Sequence, residues 1–418
     1  MAKVLFVHNG PLYRGPDGQM YGNSFTEAVK ERYLLLGEHV TFLMREERLK
    51  GSTEGFSALR ASDFDFVAVP DLMSPLARML NHVRAMRTIE AAVRRSDVVV
   101  ARIPSIVSRL AVGWARKLGK PYMIECVACN WDVLWNHNWK GKLTAPWYFL
   151  MQRRVVRDSP YVVYVTEEFL QRRYPTGGRH VAISNVQLRA TSSEVLDRRL
   201  TRVRLSSGLG LPVKLVTIAN VAVPYKGQAD VIASLPGLIR DGIPVEYHLI
   251  GGGDQARLRA LARRHGVEER VIFQGSKRHA EVFRLLDEMD IYVQPSRTEG
   301  LPRAVIEAMS RALPVVGARA GGIPELLESE RTFRAGDYRG FVETFKKIIP
   351  FATQELDARR NFARAQAFRE EVLLGRRQAF YLEFLNDNGF LSPEGGRLGV
   401  ARKAQKKNDS ATPASSVG

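Results

Sequence analysis

Short apolar runs rich in Val, Ile and Tyr alternate along the chain with longer stretches whose apolar residues recur every three or four positions. The first signature predicts buried strands and the second predicts amphipathic helices. In the first half the strands fall at 3–8, 39–44, 64–69, 97–103, 121–127, 161–166 and 180–184, with helical patterns at 24–36, 76–94, 105–118 and 144–158. The second half starts again with strands at 214–219, 246–250, 270–274, 290–294 and 314–318. Strands separated by helices imply parallel sheets with helical crossovers. At 418 residues the chain exceeds one ordinary core, so the pattern predicts two α/β, doubly wound domains.

The best break between them is 191–211, where a polar and charged stretch ends in Ser-Gly-Leu-Gly-Leu-Pro. The domains are then expected over 1–190 and 212–369. A further helical pattern covers 354–388, and 392–418, rich in Lys, Gly, Ser and Ala, reads as a disordered basic tail. No short-period repeat is visible.

Hydrophobic content is 45%, and no apolar run reaches the roughly 18 residues of a membrane span. The N-terminal Met1-Ala-Lys-Val-Leu-Phe-Val-His is read as a first strand rather than a signal peptide, so the cytosol is the expected location. The net charge is +18, and residues 1–200 carry more than half of it. Nucleic acid and an anionic membrane surface are the two partners such charge suits. No nucleic-acid module or aromatic ladder accompanies the basic residues, which favours the inner face of a membrane. The two cysteines form Cys126-Val-Ala-Cys129. With no second pair to complete a zinc set and no redox setting, they read as packed, reduced thiols.

The candidate chemistry centres on 294–327. A strand ends at Gln294, a turn runs through Arg297, Thr298, Glu299, Gly300 and Leu301, and Pro302 stands where a first helical residue belongs. Such a strand–turn–helix presents N–H groups to an anion. Glu299 and Glu307, with seven residues between them, flank that place. Two ordinary surface carboxylates on an amphipathic helix are the competing reading.

This stretch, with Gly321-Gly-Ile-Pro-Glu325 after it, closely resembles the E-x7-E signature of retaining family 4 glycosyltransferases. The resemblance implies the GT-B fold: two Rossmann-like domains facing across a cleft, with a final helix (about 370–390) crossing back to the first domain. It also implies a nucleotide sugar, UDP- or GDP-linked, as co-substrate, with no metal and no other cofactor. By the same resemblance Glu307 would accept from ribose hydroxyls and Glu299 would orient the transferred sugar. The N–H groups of Gly300 and Leu301 would hold the leaving phosphate. Lys226, in Tyr225-Lys226-Gly227, matches the phosphate-binding Lys. The usual Arg position appears as Asn220, which cannot supply charge. Either Lys226 and helix termini suffice, or Arg297 or Arg303 substitutes. Gly251 and Gly252 match the family's loop near the donor, and Ser276 and Lys277 match the strand end near the base.

In the first domain, Gly22 resembles the glycine loop that lets backbone approach the donor phosphate. Ser24 is either part of that loop or an N-cap in a capping box with Glu27. Trp131, Asp132, Trp135 and His137 cluster after a strand, and aromatic faces suit sugar rings. They are candidate acceptor contacts; a packed aromatic brace is the alternative. Asp63-Phe-Asp65 spells a D-x-D motif at a strand start and is read as incidental. The expectation is a retaining, metal-independent glycosyltransferase acting on a glycan or lipid-linked glycan, as in bacterial surface polysaccharide assembly. A sugar-nucleotide epimerase of the same fold and a basic nucleic-acid or anion binder are the rivals.

Overall fold

The computed structural model describes residues 2–391 apart from 24, 50–52, 54–55, 61 and 207–209. Ser24 and the basic tail at 392–418 therefore lie outside the described residues. The chain falls into two compact units, 1–123 with the chain from Arg376 onward, and 124–375.

In the first unit, β1 (Lys3–Arg14), β2 (Met20–Gly22), α1 (Glu27–Tyr33), β3 (His39–Arg48), β4 (Ser57–Ala58), β5 (Phe64–Ala68), α2 (Pro75–Arg95), β6 (Val98–Ile103) and α3 (Ile106–Lys117) follow one another. β1 pairs in parallel with β3 and β6, and β3 with β5. The small β2 and β4 add antiparallel pairing that the hydrophobic pattern did not show. Val4, Leu5, Phe6 and Val7 are almost wholly buried, as expected of a strand with both faces covered. The N-cap of α1 is Thr26, and Glu27 bonds Lys30 and the Arg60 amide; the capping box expected with Ser24 falls outside the described residues. Asp63 pairs with Lys30 and Asp65 with His39, an ordinary structural use for both acids of the D-x-D triplet.

β7 (Tyr122–Cys126) crosses the boundary at Met123, and the second unit continues with α4 (Asn130–Trp135), α5 (Trp139–Arg157), β8 (Tyr161–Tyr164), α6 (Phe169–Arg173) and β9 (Arg179–Ala182); β8 pairs in parallel with β7 and β9. α7 (Glu194–Ser206) occupies most of the expected linker. Its Val195, Leu200 and Val203 are buried, and the guanidinium of Arg199 donates to the main-chain oxygens of Leu286, Met289 and Arg311. Burial pushes Arg199 down to about 10, the desolvation cost of placing a cation among carbonyls.

The rest of the unit is β10 (Val213–Ile218), α8 (Gln228–Arg240), β11 (Val245–Ile250), α9 (Ala256–Arg264), β12 (Val271–Gly275), α10 (His279–Glu288), β13 (Ile291–Gln294), α11 (Arg303–Ser310), β14 (Val315–Ala318), α12 (Ile323–Leu326), β15 (Thr332–Phe333), α13 (Tyr338–Ile348), α14 (Phe351–Ala365) and α15 (Glu370–Asp387), the last passing into the first unit at Arg376. The six strands are parallel in the order β12-β11-β10-β13-β14-β15. Leu215, Leu235, Tyr247, Val293 and Phe341 are fully buried in its core. Numbered from the first of these strands, the order is 3-2-1-4-5-6, the doubly wound nucleotide-binding order. Its switch point lies between β10 and β13, and ligands bind outside the carboxyl ends of such strands.

Candidate active site

The turns that follow β10 and β13 stand at that switch point and are tied together. Arg297 N–H donates to the Tyr225 carbonyl at 2.8 Å. Gly227 has φ +78°, and a Cβ there would stand 2.0 Å from the Pro295 oxygen. Only glycine combines the left-handed backbone with that approach. The junction places Lys226 Nζ 2.7 Å from Glu299 Oε1, with both side chains largely buried.

Behind Glu299 runs a buried relay. The Tyr292 hydroxyl donates to Gln294 Oε1 at 2.7 Å, and Gln294 Nε2 donates to Glu299 Oε1 at 2.9 Å and to Ser296 Oγ at 2.8 Å. Both amide hydrogens and one lone pair of the oxygen are thereby assigned, so one rotamer is favoured and the carboxylate is held from below. Burial keeps the Tyr292 phenol far above its ordinary range, so it serves as a donor.

Glu307 lies in α11, with Oε1 3.3 Å from His279 Nε2 at the start of α10. The cap of α11 is Pro302, which brings no side-chain acceptor to the first N–H groups, and these remain for solvent or an anionic ligand. Gly300, before that cap, packs so close to Val127 that a Cβ would meet its oxygen at 2.2 Å. Gly322 N–H donates to the Gly300 carbonyl at 2.7 Å. Asn220 Oδ1 accepts from the Ala222 amide at 2.9 Å, which makes it a turn residue. Arg297 is committed to both oxygens of Asp230 at 3.0 Å. Among the groups considered for the phosphate, Lys226 is thus the one that meets an acid of the E-x7-E pair.

Gly251 and Gly252 follow β11 and stay linked to their neighbours through Gly251 N–H to the Gly275 carbonyl and Val221 N–H to the Gly252 carbonyl. Ser276 and Lys277 are exposed just beyond β12. Gly22 belongs to the other unit, where a Cβ would stand 1.8 Å from the Phe25 oxygen.

The Trp-rich stretch after β7 forms the helix α4, which is pinned to the β13 turn. The Thr298 hydroxyl donates to the Asp132 carbonyl at 3.0 Å and accepts from Asn136 Nδ2 at 2.9 Å. The Asp132 carboxylate pairs with Arg173 at 3.0 Å, and burial raises it above the usual carboxylate range. Trp131 and Trp135 stack on each other with centroids 5.1 Å apart, and Trp131 also meets Phe149 edge-on. Trp135 and His137 are exposed beside them. Cys126 and Cys129 are buried and free, and burial raises both thiols.

The sequence reading missed Gln294, Tyr292 and His279. One signal was available: a Gln ends an otherwise apolar strand, Ile-Tyr-Val-Gln, immediately before the turn that carries Glu299.

Comparison with known proteins agrees with this geometry. Residues 212–349 match the glycosyl transferases group 1 family. The chain is 28% identical to protein CapJ of Staphylococcus aureus over 338 residues, 80% of this chain and 83% of that one. It is 36% identical to the amylovoran biosynthesis glycosyltransferase AmsK of Erwinia amylovora over 133 residues, 30% of this chain and 32% of that protein. The Anabaena HepE protein in complex with UDP-glucose superposes with a TM-score of 0.63 at 18% identity, covering 93% of this chain and all of that one. The fold is therefore the GT-B fold of these glycosyltransferases. The family match at 212–349 spans the β10–β15 sheet, the part of the chain that carries Lys226, Glu299 and Glu307.

Proposed function

We propose that the protein moves a sugar from a UDP- or GDP-sugar to an acceptor hydroxyl with retention of configuration, on a lipid-linked glycan during assembly of a capsule, exopolysaccharide or O-antigen. The observation that carries this reading is the Lys226–Glu299 contact at the switch point, with Glu307 on the helix that follows. AmsK, described as an amylovoran biosynthesis glycosyltransferase, and HepE with UDP-glucose support the setting and the donor class.

In the proposed reaction Lys226 leaves Glu299 for the diphosphate and, with the Gly300 and Leu301 N–H groups, stabilises the charge that develops as the sugar C1–O bond breaks. The acceptor oxygen bonds to C1 on the same face, and its proton passes to the departing phosphate oxygen. Glu299 holds the sugar hydroxyls and Glu307 the ribose. Asn220, Gly251, Gly252, Ser276 and Lys277 would complete the donor contacts. Trp135 and His137 would meet the acceptor, with Trp131 and Asp132 bracing them. Lys226 supplies the positive charge that a metal would otherwise bring, and the enzyme would act at the cytoplasmic membrane face.

Thermal-shift screening against UDP-, GDP-, ADP- and TDP-sugars, followed by turnover of the stabilising donor with and without acceptor, tests the reading. Stabilisation by one donor with acceptor-dependent release of its nucleotide is expected. Conversion of the donor into an isomeric nucleotide sugar without acceptor would replace transfer by epimerisation.

A further inference from the structure

α5 is amphipathic with the apolar side turned outward. Its buried positions are Gly141, Ala145, Gln152 and Val156. On the opposite face Trp139, Leu143, Trp147 and Leu150 are 67%, 72%, 65% and 59% exposed, at the i, i+4, i+8, i+11 spacing of a single helical stripe. Solvated helix faces do not normally carry two Trp and two Leu in a row. The stripe runs on into Arg153, Arg154 and Arg157, all exposed, and Lys140 and Lys142 flank its start. The helix holds no Asp or Glu. At its far end Leu150, Arg153, Arg154, Arg157 and Pro175 line a shallow cavity of about 370 Å³. Among the described residues no helix is long and apolar enough to cross a membrane.

We propose that α5 is an in-plane anchor for an anionic lipid bilayer, with Trp139, Leu143, Trp147 and Leu150 in the interface and the Arg153–Arg154–Arg157 cavity on lipid phosphates. Trp and Leu on one face with basic residues beside them is the composition that lies in the headgroup layer. Charge decides against a second copy of the chain as the occupant, because two such faces would oppose Lys140, Lys142, Arg153 and Arg154 on each side, Arg157 alone being paired, with Asp158 at 2.8 Å. The same charge complements an anionic surface. The proposal stands on α5 alone and does not depend on the transfer reaction.

The test is vesicle flotation with the full chain, using phosphatidylcholine alone and phosphatidylcholine mixed with phosphatidylglycerol, at low and high salt. Expected are binding to the mixed vesicles, weakening by salt, and a blue shift of Trp fluorescence. W139S/W147S should abolish binding and the shift. R153Q/R154Q/R157Q should lower partitioning about a hundredfold, the loss expected for three basic side chains near an anionic surface, and remove the preference for phosphatidylglycerol. Unchanged melting temperatures establish that the variants fold. None of the five substituted residues belongs to the Lys226–Glu299 site, so donor stabilisation in both variants should match wild type, which separates failure here from failure of the transferase reading.

Equal binding to both vesicle types, or full binding by W139S/W147S, overturns the proposal. In the second case the anchor lies elsewhere, for instance on α2, where Leu76, Met79, Leu80 and Val83 are also exposed. Self-association through α5 in sedimentation velocity, without vesicle binding, overturns it as well.

Discussion

Lys226→Ala and Glu299→Gln should move nucleotide affinity in opposite directions. At 2.7 Å, two unit charges attract by about 6 kcal/mol at an effective dielectric near 20. Desolvation offsets most of this, leaving the roughly 1.5–3 kcal/mol of a hydrogen bond to a charged group. As a mere structural tie, the pair would be damaged equally by losing either partner. As a phosphate site held ready by its own counter-ion, it would not. Lys226→Ala removes the cation that a diphosphate needs, and the affinity for free UDP or GDP should fall about 10- to 100-fold. Glu299→Gln keeps the Gln294 contact, removes the competing anion and should leave that affinity unchanged or raise it up to about tenfold. Titration calorimetry with the nucleotide diphosphate reads both, and thermal denaturation checks the fold. Equal losses of affinity in the two variants would refute the reasoning.

Gln294→Leu should lower kcat with little change in KM, because it releases Glu299 and the Tyr292 hydroxyl without touching the nucleotide; an effect confined to KM would remove its positioning role. Cys126 and Cys129 should resist a thiol reagent in the native protein and react once it is denatured, since burial holds both thiols protonated. Burial depresses His248 below its usual value, so the unfolded chain takes up a proton first as pH falls through about 6.5. Stability present above that pH should then decline towards the lower folded value, and His248→Gln should flatten this part of a melting-temperature profile.

The apolar runs made the parallel strands legible because strands covered on both faces must be apolar almost throughout, as Val98–Ile103 and Val315–Ala318 are. β2, β4 and β15 escaped because two or three residues carry no periodicity. α7 was hidden by its polarity: Arg199 reads as solvated in sequence, yet it is buried on three carbonyl oxygens from two distant segments, the end of α10 and Arg311. The first turn of α5 fell outside the expected 144–158, because Trp139 and Lys140 read as the end of the aromatic stretch. The two acids and Lys226 were legible from a motif. Their contact was not, since it depends on how closely the turns after β10 and β13 approach at Gly227. The tryptophans show the same limit. A single cluster at 131–139 divides into a stacked pair on α4 and an exposed residue on α5 that shares a face with Trp147.

The central claim is that the Lys226–Glu299–Glu307 site handles a nucleotide sugar. Acceptor-dependent release of nucleotide diphosphate, measured side by side for wild type, Glu299→Ala and Glu307→Ala, tests it most directly. The account predicts turnover of one donor by wild type, binding without turnover for Glu299→Ala, and weakened nucleotide binding for Glu307→Ala. Wild-type turnover and binding in both variants would contradict it.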